Sequence, residues 1–181
     1  YFFKNNFYSS EYPVINSVFE SHLQNINVPE CFLLGCFMGG LSDLDRTNLI
    51  FRSAGFRDLL AMNPSVDTIR LAVTLKGDYL FNLLRSKAGI MEFNEWFQDY
   101  LNDHTFRKTD IKDFSNDFNA RFGFSIYPYL DDWFNKKEQP GFLFTDLQAS
   151  EIVSGDRVRY QVTFIASNPE SVAGIFNVSL R

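Results

Sequence analysis

The side chains able to do chemistry in this chain are few and scattered. Its two histidines are His22 and His104, and its two cysteines are Cys31 and Cys36. A protein-held zinc ion usually takes two histidines one helical turn apart, with further nitrogen, sulfur or oxygen ligands. No such histidine pair exists here. His22, Cys31 and Cys36 would make at best an ad hoc three-ligand set, short of the four that structural zinc requires. Simpler readings place His22 on the polar edge of a helix. His104 falls at a helix C-terminus, where the macrodipole favours a cation. Cys31 and Cys36 are either a local disulfide, if the protein is exported, or two buried thiols packing as small hydrophobes, the simpler reading. A third group lies in the run AVTLKGDYLFNLLR, residues 72–85: Thr74, then Lys76-Gly77. Read alone, Thr74 is a helix residue and Lys76 a solvated charge.

The elements around these residues are mostly helical. Ser9 or Ser10 can cap a helix through SSEYPVINSVFESHLQN, with Pro13 in its first turn and Ile15, Val18, Phe19 and His22/Leu23 at helical spacing. PECFLLGCFMGGLSD ends in Gly39-Gly40, and Ser42 with Asp45 suggests a helix start. The next segment is broken near Gly55 and stopped by Asn63-Pro64. Ser65 is an N-cap for a long helix with Ile69, Val73, Leu80 and Leu84 in one stripe and Ala72, Tyr79 and Leu83 beside it. Gly89 ends it. Phe93, Trp96, Phe97, Tyr100 and Leu101 share the next apolar face. Thr109 is the expected cap of DIKDFSNDFNARF, with Ile111, Phe114, Phe118 and Phe122 inward and Gly123 closing. IYPYLDDWFN is a short helix. After Pro140-Gly141 the period changes from 3.6 to 2, and FLFTDLQASEIV, RVRYQVTFIAS and GIFNVSL read as three strands joined by Gly155-Asp156 and Asn168-Pro169.

The expected fold is therefore α+β: a mainly helical domain over about residues 9–135, then a small antiparallel β segment resembling part of a sandwich. The division falls as 1–139 and 140–181. Hydrophobic residues make up 45 % and charged residues 22 %, enough to bury a core, and most of the 21 phenylalanines belong in it. A net charge of -5 provides no basic surface, which argues against nucleic acid as a partner. No leader pattern is visible, and the longest apolar run, CFLLGCFM, is too short to span a bilayer. Tyr1 at the start and a strand-like run before Arg181 read as a piece of a longer protein, with the aromatic 1–8 segment packing against something.

The order of parts from about residue 65 onward resembles the C-terminal part of the catalytic domain in aminopeptidase N-like gluzincin zinc metallopeptidases. The matching positions are Lys76-Gly77, Leu83-Leu84-Arg85, Gly89, Phe93, Tyr100-Leu101, Thr109, Asp113-Phe114, Leu130, Trp133 and Pro140-Gly141, then strands. Residues 1–64 carry no such likeness. The resemblance implies peptide hydrolysis by a zinc-bound water, with His-Glu-x-x-His and a later glutamate as the metal set. This chain has none of it, and Glu20 and Glu30 lack the Asn-Glu context of the later ligand. Zinc is expected only if His-Glu-x-x-His lies upstream in a longer protein. The family also places a tyrosine two residues before the lysine, as donor to the developing oxyanion. Thr74 stands there, and its hydroxyl is too short to reach as a phenol does. The implied reading is a non-catalytic fragment, inactive alone, whose partners are the missing parts of the peptidase. In that role it walls the cleft and docks the β-domain. The alternative is an autonomous helical scaffold that binds a peptide or protein through an aromatic groove, with Tyr8, Tyr79, Trp96 and Trp133 as candidates.

Overall fold

A computed structural model describes residues 5–25, 49–52, 54–62, 64–154, 157–176 and 178. The fold is α+β, in two compact units, Tyr1–Lys137 and Glu138–Arg181. The first runs β1 (Asn6–Tyr8), α1 (Ile15–Asn25), α2 (Phe56–Ala61), α3 (Val66–Ala88), α4 (Ile90–Asp103), β2 (Lys108–Asp110), α5 (Ile111–Phe122) and α6 (Tyr127–Asn135). Residues 49–51 are also helical. The expectations for 26–48, including Cys31, Cys36, Gly39-Gly40 and Ser42, lie outside the described residues.

Helix boundaries follow their punctuation. The Ser65 side chain accepts from the Thr68 N–H at 3.3 Å and opens α3. Gly89, at φ 90, ends α3 and immediately begins α4, a backbone that other residues adopt only with strain. Gly123 closes α5 in the left-handed conformation. Two expected caps differ. Ser9 accepts from the Glu11 and Tyr12 N–H groups, so it organises a turn through Pro13, and α1 begins only at Ile15. Asp110, not Thr109, caps α5: its carboxylate accepts from the Lys112 N–H at 2.9 Å.

Thr109 is instead the middle residue of β2, paired in parallel with Phe7 of β1. This ladder brings the N-terminal segment into the core. Phe7 is 2 % exposed, stacks on Phe19 and meets Phe114 edge-on. The aromatic packing continues through Phe81, Phe93, Phe97 and Phe118, which join the faces of α1, α3, α4 and α5. Beside the middle of α3, Phe56 of α2 stacks on Trp133 of α6. Edge-to-face and offset ring pairs of this kind each add about 0.5–1.5 kcal/mol beyond the area they bury.

The second unit is a hairpin of β3 (Leu143–Ser154) and β4 (Arg157–Ser167), antiparallel from Leu143↔Ser167 to Ser154↔Arg157. The pairing shifts between Thr145 and Gln148, and Asp146 sits there at φ 54, a conformation aspartate tolerates better than most. The third expected strand is not formed among the described residues of 173–178. Phe176, still exposed, packs on nearby rings instead, its ring centroid 4.8 Å from Phe142 and 5.0 Å from Phe144. Asn168 does form the expected turn, accepting from the Glu170 N–H and donating to the Val172 carbonyl. Among the described residues, no helix is long and apolar enough to cross a membrane.

Candidate functional site

The Thr74, Lys76 and Gly77 positions lie mid-helix on α3, and each meets a different neighbour. Gly77 faces α1. A Cβ built on it would lie 3.0 Å from Cγ1 of Val18, so the two helices meet there at a distance that glycine permits. Half-buried Thr74 faces the same helix three residues earlier: its Oγ1 accepts from the Ser21 hydroxyl at 3.2 Å.

Lys76 turns the other way and is buried. Its ammonium donates to the Trp133 carbonyl at 2.9 Å and the Lys136 carbonyl at 3.3 Å, and lies 4.4 Å from the Phe51 ring centroid. Those carbonyls belong to the last turn and cap of α6, where acceptors lack helical partners and the macrodipole is negative. The link is reciprocal, since Trp133 Nε1 donates to the Lys76 carbonyl at 2.9 Å. One cation thus bonds two carbonyls at this helix end, the Trp133 carbonyl away from water. The expectation of a solvated Lys76 is overturned. The missed signal was positional: Lys76 falls between Val73 and Leu80 on the apolar stripe, so its stem had to enter the core.

His22 is buried too, not a polar edge. Its ring lies flat on Phe81, with centroids 3.8 Å apart and planes within 1°. Nδ1 is 3.9 Å from Asp78 Oδ1, and Nε2 is buried with no hydrogen-bond partner among the described residues. His104 caps α4 as expected. Its Nδ1 lies 2.9 Å from the Tyr100 carbonyl and its ring stacks on Tyr100. Glu20 accepts from Asn16 at 2.9 Å. Cys31, Cys36 and Glu30 lie outside the described residues. Among the described residues, no three histidine, cysteine, aspartate or glutamate side chains gather as a metal site. His22, held by ring stacking with one carboxylate at its edge, does not fit the zinc set that the resemblance implies.

The aromatic residues proposed to line a groove are spread over four elements. Trp133 is core, and Trp96 of α4 is half-buried against Phe114, Phe118 and Phe122. Tyr79 of α3 is half-buried, and only Tyr8 is exposed, with Lys108 Nζ 4.3 Å from its ring centroid. A hydrogen bond that Tyr8 donates to Asp110, and that carboxylate's charge, raise its pKa. Burial, then the Glu11 charge, pushes Tyr12 to about 12. Burial above all raises Tyr100, whose hydroxyl has no partner among the described residues. An open depression on α4 is lined by Asn94, Glu95, Gln98 and Asp99, an acidic polar surface rather than an aromatic one.

No protein-family model, curated protein or solved structure matches this chain.

Proposed function

We propose that this chain is a non-catalytic part of an aminopeptidase N-like metallopeptidase, in which the helices around α3 form a wall of the cleft and carry no chemistry themselves. Its partners in this reading are the remaining parts of such a peptidase. The observation that carries the reading is the environment of Thr74. At the position where the family has an oxyanion-donating tyrosine, a short hydroxyl is engaged by Ser21 across the α1–α3 contact. The other motif positions have packing duties. Lys76 and Trp133, separated by 57 residues, hold each other, and Gly77 admits Val18. A set of positions retained for architecture, beside one that has lost its reactive group, is the pattern of a fold kept after its chemistry.

The alternative, a scaffold that binds a peptide or protein, gains little from the scattered aromatic residues. The proposal is tested by a zinc titration of the 181-residue chain under equilibrium dialysis. The proposal expects no stoichiometric uptake. One tightly held equivalent per chain would overturn it.

A further inference from the structure

We draw no further inference here: the strongest candidate, the apolar face of the β3–β4 hairpin on which Phe144, Val158 and Tyr160 stay exposed, carries nothing, because nothing in the structure shows what covers it.

Discussion

Lys76 decides how the Thr74 helix is understood. A lysine held by two helix-end carbonyls and an aromatic face is structural, and its removal leaves the buried Trp133 carbonyl without this donor. Lys76→Met is expected to cost about 2–4 kcal/mol, and Trp133→Phe about 1–2 kcal/mol through the lost indole bond. The double variant should lose less than the sum, by about 0.5 kcal/mol or more, because the two side chains share one lock. Denaturant unfolding of the four proteins checks this. A Lys76→Met change within about 0.5 kcal/mol of zero would mean a surface charge. Tyr12 gives a second test. Its folded pKa of about 12 lies above the ordinary 10.0, so the neutral phenol is favoured in the folded state. That contribution is complete below pH 10 and is lost as pH rises through about 12. Ultraviolet titration should find Tyr12 ionising later than an exposed tyrosine, and Tyr12→Phe should flatten the alkaline fall in stability.

Among the elements, the contact of α1 with α3 is the most sensitive. Gly77→Ala gains about 1 kcal/mol of helix propensity, but its methyl would press on Val18, which is 0 % exposed and stiff at χ1. The expected result is net destabilisation of about 1 kcal/mol in the unaltered chain, turning to stabilisation when Gly77→Ala is made in a Val18→Ala background. Thermal unfolding distinguishes this from a contact with no crowding, where Gly77→Ala stabilises in both backgrounds. At the start of α5, Asp110→Ala should cost about 1 kcal/mol as a lost cap. Thr109→Val should be neutral or slightly stabilising, because the buried Thr109 hydroxyl has no hydrogen-bond partner among the described residues. The opposite ranking would restore Thr109 as the cap. Much of this layer was legible in the sequence. Ser65, Gly89 and Gly123 punctuate helices by local chemistry, and the α4 and α5 aromatic stripes follow a 3.6-residue period. What could not be read was non-local. The parallel pairing of Phe7 with Thr109 joins residues 102 positions apart, and it turns an apparent cap into a strand residue. Nor does alternation in GIFNVSL reveal whether a neighbouring strand is available to pair with.

For the whole molecule, the helical unit closes around a continuous aromatic core, whereas the hairpin unit keeps Phe144, Leu147, Val158 and Tyr160 more than half exposed. A two-stranded hairpin by itself is marginal in water, and among the described residues the aromatic core lies in the helical unit. The candidate site was partly legible. The place of Thr74, two residues before Lys76, is visible in the sequence, but its engagement by Ser21 depends on how α1 crosses α3, which no local pattern encodes. The spacing between Lys76 and Trp133 likewise gives no hint that they meet. On the proposed reading, the Lys76-Gly77 helix serves packing and not peptide hydrolysis. The most direct measurement is hydrolysis of a panel of aminoacyl anilides by the purified chain with zinc supplied, beside a folded Thr74→Val variant. Release at the buffer rate is expected for both proteins. Zinc-dependent turnover by the unaltered chain, abolished in Thr74→Val while the fold is kept, would contradict it.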